Sequence, residues 1–105
     1  MIRIVIAEDQ KMLRGAFASL LQFEDDIEVV AEVPDGEQAW EAISLHQPDV
    51  CVLDIEMPHL SGLEIAERIR HAGLPCKIMI VTTFARPGYL QRAMDAQVEG
   101  YLLKD

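Results

Sequence analysis

Residues 2–9 read Ile2-Arg3-Ile4-Val5-Ile6-Ala7-Glu8-Asp9, an apolar run broken only by Arg3 that closes on two adjacent acids. A run of this kind, rich in β-branched residues, predicts a central strand buried on both faces. Three further runs close on polar groups in the same way: Val50 to Leu53 ends at Asp54, Ile78 to Val81 at Thr82, and Tyr101 to Leu103 at Lys104. If these runs are parallel strands alternating with helices, all of the polar groups meet at one edge of a sheet. In open α/β folds that edge is where ligands bind. Three carboxylates, a hydroxyl and an ammonium gathered there make a site for a divalent cation and a phosphoryl group.

The segments between the runs supply the helices. Leu13, Phe17, Leu20 and Leu21 recur at helical spacing and predict a helix from about Gln10 to Phe23. Ile27 to Val33 keeps apolar residues at alternate positions with two acids between them, the pattern of a half-exposed edge strand. Pro34-Asp35-Gly36 breaks the chain, and Asp35 with Gln38 resembles a capping box opening a helix to about His46. Pro48 ends that helix, and Asp49 to Asp54 reads as the most buried strand of the set. Ser61 and Glu64 form a second capping-box signature, for a helix ending near His71-Ala72-Gly73. Lys77 to Thr82 is the fourth strand. Arg86-Pro87-Gly88 starts the fourth helix, with Pro87 suited to its first turn, and Gly100 to Leu103 is the fifth strand. The order β-α-β-α-β-α-β-α-β predicts one α/β domain over residues 1–105, a flavodoxin-like, doubly wound, five-stranded parallel sheet of order 2-1-3-4-5. Its switch point lies between strands one and three, so Glu8, Asp9 and Asp54 should line the crevice from both sides.

Composition narrows the function. The formal charge of −9 argues against direct contact with nucleic acid, which would repel this surface. No apolar stretch nears the roughly 20 residues needed to span a bilayer and no signal peptide opens the chain, so a soluble cytoplasmic protein without membrane insertion is expected. Cys51 and Cys76 lack the spacing of a zinc site or a disulfide framework and are expected as buried thiols. His46, His59 and His71 lack metal-ligand spacing and are expected at the surface, and Trp40 is expected to pack.

At the polar strand ends the chain resembles the receiver domain of bacterial two-component response regulators. The residues that carry the resemblance are Ala7-Glu8-Asp9, Leu53-Asp54-Ile55-Glu56-Met57-Pro58, Ser61-Gly62, Val81-Thr82-Thr83 and Gly100-Tyr101-Leu102-Leu103-Lys104-Asp105, in order and at receiver spacing over residues 2–105. The Leu-Leu-Lys-Asp ending is similar to the branch that carries a LuxR-type helix-turn-helix output domain. The resemblance implies that Asp54 accepts a phosphoryl group from a sensor histidine kinase. It implies that Glu8, Asp9, Asp54 and the backbone carbonyl of Glu56 hold Mg2+. Thr82 would move onto the phosphoryl oxygens, Lys104 would pair with them, and Tyr101 would turn inward as an aromatic switch. A homodimer on phosphorylation, and DNA binding only through an output domain outside residues 1–105, are further implications. So is the absence of any turnover substrate: such a domain catalyses only its own phosphorylation and dephosphorylation.

Elementary electrostatics agrees with this. Two carboxylates at ~4 Å and an effective dielectric of ~20 repel by about 4 kcal/mol, so either one protonates or a cation neutralises them. Magnesium takes hard oxygen ligands and bridges readily to phosphate oxygens. Two rivals share the residues: a small aspartyl-phosphate phosphohydrolase using Asp54 and Glu56, and a pseudo-receiver that binds partners without taking phosphate. Flavin binding on the same fold would require a hydroxyl-rich phosphate loop, and carboxylates stand there instead.

Four departures from the receiver pattern carry expectations. Asp105 stands where a proline is usual, with an altered backbone near Lys104 expected. Gln97 stands where a glycine would relieve a left-handed turn, so Ala96-Gln97-Val98 is expected to be strained or frayed. Phe84, two residues after Thr82, is expected to limit water access to a phosphoryl group. A fifth helix does not follow the fifth strand, so apolar strand surface should be exposed, through truncation or with self-association as cover.

Overall fold

The computed structural model describes residues 1–83 and 86–104. It alternates strand and helix throughout: β1 (Ile2–Ala7), α1 (Lys11–Gln22), β2 (Ile27–Val33), α2 (Gly36–His46), β3 (Val50–Leu53), α3 (Gly62–His71), β4 (Lys77–Thr82), α4 (Tyr89–Asp95) and β5 (Gly100–Leu103). The strands form one sheet of order β2-β1-β3-β4-β5. Every neighbouring pair is parallel. This is the doubly wound architecture that the alternating apolar runs predict.

The two faces are unequal. The larger core lies under α2, α3 and α4, where Ala39, Ile43, Leu63, Ile65, Ile69 and Ala93 pack on Val5, Leu53, Ile78 and Ile80. On the other face α1 covers Ile4 and Ile6 through Ala18, Phe17 and Leu21. Beside α1 an apolar groove of about 330 Å³ runs over Val50, Val52, Met79 and Val81. Leu102 and Leu103 on β5 are about half exposed. The expected exposure of apolar strand surface is therefore present among the described residues.

Local signals mostly act as expected, with three physical adjustments. In β2 the register against β1 slips between Ile4 and Val5, leaving Val30 as an extra residue. A bulge of this kind reverses the alternation. Ile27 and Val29 therefore face the α1 side, while Ala31 and Val33 join the larger core. At α2, Asp35 caps the Gln38 amide as predicted. The reciprocal bond runs from the Gln38 side-chain amide to the Asp35 carboxylate instead of back to the cap's backbone. At α3 the capping box of Ser61 and Glu64 is complete.

The start of α4 corrects the sequence reading. Pro87 does not occupy the first helical turn: it lies in the turn before it, and Gly88 caps the helix from the left-handed region at φ 88°. Only glycine enters that region without a Cβ penalty, so the helix waits one residue beyond the proline. At the other end Gln97 adopts φ 58°, the strained conformation expected where glycine is missing. The segment is strained but not frayed. Arg70 from the last turn of α3 donates to the carbonyls of Ala96 and Gln97, to Cys76, and to Glu99. Phe84 and Asp105, with the expectations attached to them, lie outside the described residues.

Candidate functional site

Three of the strand-end polar residues are set in place by one backbone hydrogen bond just past the strand. The Glu8 amide donates to Val33, the Asp54 amide to Ala7, and the Lys104 amide to Thr82. The ladder thus extends past the apolar residues and delivers the side chains to the carboxyl edge of adjacent strands. Glu8, Asp9 and Asp54 each place a carboxylate oxygen within 4.8 Å of the other two. Glu8 and Asp54 are buried, while Asp9 is open to solvent.

Lys104 closes the pocket from β5. Its Nζ lies 2.6 Å from Glu8 Oε1 and 3.4 Å from Asp54 Oδ2, and its side chain is almost fully buried. Burial opposes the ammonium, but the hydrogen bond to Glu8 and the charges of Asp54 and Glu8 outweigh it and raise its pKa. Glu8 is further fixed by the Gln10 amide on Oε2 and by Arg14, whose guanidinium donates to the Glu8 carbonyl at 2.8 Å.

Asp54 is the least satisfied group. Its Oδ1 is buried without a hydrogen-bond partner among the described residues. Desolvation and the neighbouring Glu8 charge push its carboxyl up to about 6, against the downward pull of Lys104. A buried, unpaired carboxylate oxygen carries a desolvation cost that an incoming cation or donor would remove. With two further carboxylates in reach, the donor set is hard oxygen throughout. It fits a hard divalent cation such as Mg2+ and lacks the nitrogen and sulfur ligands that a softer metal would take.

The backbone beneath Asp54 explains Gly62. A Cβ on Gly62 would lie 2.0 Å from the Asp54 carbonyl oxygen, and the Gly62 amide donates to Ile55. The first residue of α3 is thus seated directly on the chain that carries Asp54. Thr82, at the end of β4, is wholly buried beside the pocket. Tyr101 is half-buried, paired with Ile80 in the ladder and packed against the larger core, and burial raises its phenol. It is not among the side chains that meet at the carboxylates.

Glu56 divides its roles. Its carboxylate accepts from Arg86 at 2.7 Å and from the Tyr89 hydroxyl at 2.9 Å, tying the loop after β3 to the start of α4. A carboxylate held in this way is poorly placed as a general acid over Asp54, which counts against the phosphohydrolase reading. Arg70, Arg86 and Tyr89 carry no local motif, and their contacts to Ala96, Gln97, Glu99 and Glu56 span long stretches of sequence. Only the folded chain reveals them. Among the described residues the carboxylates that cluster as possible metal ligands are Glu8, Asp9 and Asp54; His59 and His71 are exposed apart from them, and the half-buried His46 offers its carbonyl to Arg3. Trp40 packs against the larger core with Arg68 5.7 Å from its ring centre.

Comparison with known proteins agrees with this architecture. Residues 4–105 match the family model described as the response regulator receiver domain. The chain is 59% identical over 105 residues to the transcriptional regulatory protein DesR of Bacillus subtilis, covering all of this chain and 52% of that protein. It is 54% identical over the same length to YvfU of that organism, an uncharacterized transcriptional regulatory protein, again covering 52% of it. The chain thus spans about half the length of these relatives. Among solved structures, a LuxR-family DNA-binding response regulator from Staphylococcus aureus superposes with a TM-score of 0.94 at 43% identity, covering 98% of this chain and 86% of that one. The receiver domain of the putative regulator NarL from Mycobacterium tuberculosis gives 0.93 at 32% identity, covering 99% and 84%. Strand order, acidic crevice and sequence all converge, and the chain belongs to the response regulator receiver domain family, in its LuxR-type branch.

Proposed function

We propose that the domain is a phosphoryl-accepting switch of a two-component system, in which a sensor histidine kinase phosphorylates Asp54. The observation that carries this reading is the state of Asp54: buried, one oxygen paired with Lys104, the other unpartnered beside Glu8 and Asp9. With its carboxyl near 6, Asp54 is mostly ionised at neutral pH and available as nucleophile. Its oxygen attacks the phosphorus of the donor phosphohistidine, and the histidine nitrogen leaves. Glu8, Asp9, Asp54 and the Glu56 carbonyl are the residues that would hold Mg2+, which when bound neutralises charge on the transferring phosphoryl group. Lys104, with its Nζ 3.4 Å from Asp54 Oδ2, stands on the same side and stabilises that charge.

Once Asp54 carries the phosphoryl group as an acyl phosphate, Lys104 is drawn from Glu8 toward the new oxygens. The Thr82 hydroxyl donates to one of them, and Tyr101 fills the space behind it. Local charge thereby biases a two-state element. Dimerisation and DNA binding by an output domain are the downstream events, in a cytoplasmic protein that itself performs only phosphorylation and dephosphorylation of its own aspartate.

Intact-mass spectrometry after incubation with acetyl phosphate and Mg2+ tests this directly. One phosphoryl adduct is expected, absent from Asp54→Asn and absent without the metal. A folded protein that takes no adduct would instead be a pseudo-receiver. Steady release of phosphate from an added ester would point to the hydrolase.

A further inference from the structure

Cys51 and Cys76 sit on the larger core face below the acidic pocket, with their sulfurs 3.4 Å apart and both thiols free and buried. Their register explains the approach. Cys51 lies opposite Ile78 across the β3–β4 ladder, and Cys76 is two residues earlier, on the same face. We propose that this pair is an oxidation site that closes to an intramolecular disulfide with peroxide, joining β3 to the entry of β4.

Three features of the surroundings support closure. The sulfurs are already in contact, so only the last part of the approach to a bond of about 2 Å remains. Cys76 precedes the first ladder residue, Lys77, so it stands at the entry of the β3–β4 pairing and not inside it. The two thiols are also inequivalent. The Cys51 thiol donates to Cys76, which keeps its own proton on and pushes it up, while that hydrogen bond and the Arg70 charge lower Cys76. Arg70 is anchored there by its bond to the Cys76 carbonyl at 3.0 Å. Cys76 is therefore the attacking sulfur.

The chemistry balances with hydrogen peroxide as oxidant. The Cys76 thiolate attacks one peroxide oxygen, the S–O bond forms, the O–O bond breaks, and hydroxide leaves with the thiol proton as water. The Cys51 sulfur then displaces the hydroxyl from the sulfenic acid of Cys76. The S–S bond forms, the S–O bond breaks, and a second water leaves with the Cys51 proton. Two thiols lose two electrons in all, and peroxide gains them. The new bond encloses α3 in a covalent loop and pulls on the Cys76 carbonyl that Arg70 holds.

The folded protein is treated with hydrogen peroxide, quenched with catalase, unfolded in urea, alkylated with iodoacetamide and digested. The expected product is a peptide pair linking Cys51 to Cys76, about 2 Da lighter than the two thiol peptides, unalkylated and separated by reductant. Alkylation of both cysteines, sulfinic acid on either one, or a disulfide joining two molecules would each overturn the proposal. None of these results depends on whether Asp54 accepts phosphate.

Discussion

Replacing Asp54 with asparagine should stabilise the fold at neutral pH. The structure gives both the size and the pH window of the effect. Asp54 is buried beside Glu8, and its carboxyl is raised from 3.8 to about 6. At pH 3 the group is protonated in folded and unfolded chains alike and contributes nothing. Between about 4 and 6 the unfolded chain releases this proton while the folded chain retains it, so stability falls as pH rises. Above the folded value the loss is complete, and a displacement of this size corresponds to about 3 kcal/mol. Asparagine is never charged and escapes the loss, while its carbonyl can still accept from Lys104. Urea unfolding followed by Trp40 fluorescence, at pH 4, 6 and 8 without divalent cation, measures the difference. Asp54→Asn should exceed wild type by about 2–3 kcal/mol at pH 8, with the gap closing toward pH 4. Magnesium should raise wild type and leave the variant nearly unmoved, because binding to the folded state alone stabilises by mass action. A gap independent of pH, or a variant less stable than wild type at pH 8, would refute the electrostatic account of the pocket.

Lys104→Met removes the cation between two buried carboxylates, and breaking such a pair should cost about 3 kcal/mol in the same urea assay. Part of that loss should return on adding Mg2+. Gln97→Gly relieves a left-handed backbone at φ 58° and should raise stability by up to about 1 kcal/mol, with thermal unfolding as the measure. Gly62→Ala forces a methyl group against the Asp54 carbonyl, and should lower stability by about 1–3 kcal/mol while slowing adduct formation from acetyl phosphate. Tyr89→Phe deletes the tyrosine hydroxyl that donates to Glu56 and should cost about 1 kcal/mol in urea unfolding.

Much of the fold is legible in sequence because the sheet is parallel and its inner strands are apolar on both faces. A strand such as Val50 to Leu53 must be apolar on both faces, so it reads as an uninterrupted run with a polar stop. The same stops, Glu8-Asp9, Asp54, Thr82 and Lys104, foretell the pocket, since parallel strands share one carboxyl edge. What resists reading is whatever depends on register or on distant partners. The extra residue at Val30 leaves the apolar pattern of β2 intact in sequence while sending its two halves to opposite faces. Gly88 and Pro87 both announce a turn, and only the backbone decides which of them caps α4. The pairing of Cys51 with Cys76, twenty-five residues apart, follows from the β3–β4 register and leaves no trace in their spacing.

The two ends of α3 are both pinned. Gly62 rests on the Asp54 carbonyl at one end, and Arg70 grips the turn between α4 and β5 at the other. A helix of 10 residues is a stiff rod about 15 Å long. Tilting it about its Gly62 pivot by even a few degrees would carry its far end by roughly 1 Å over that length. A tilt of α3 set off by the main chain at Asp54 would therefore be largest at its far end, just ahead of the strand that bears Tyr101.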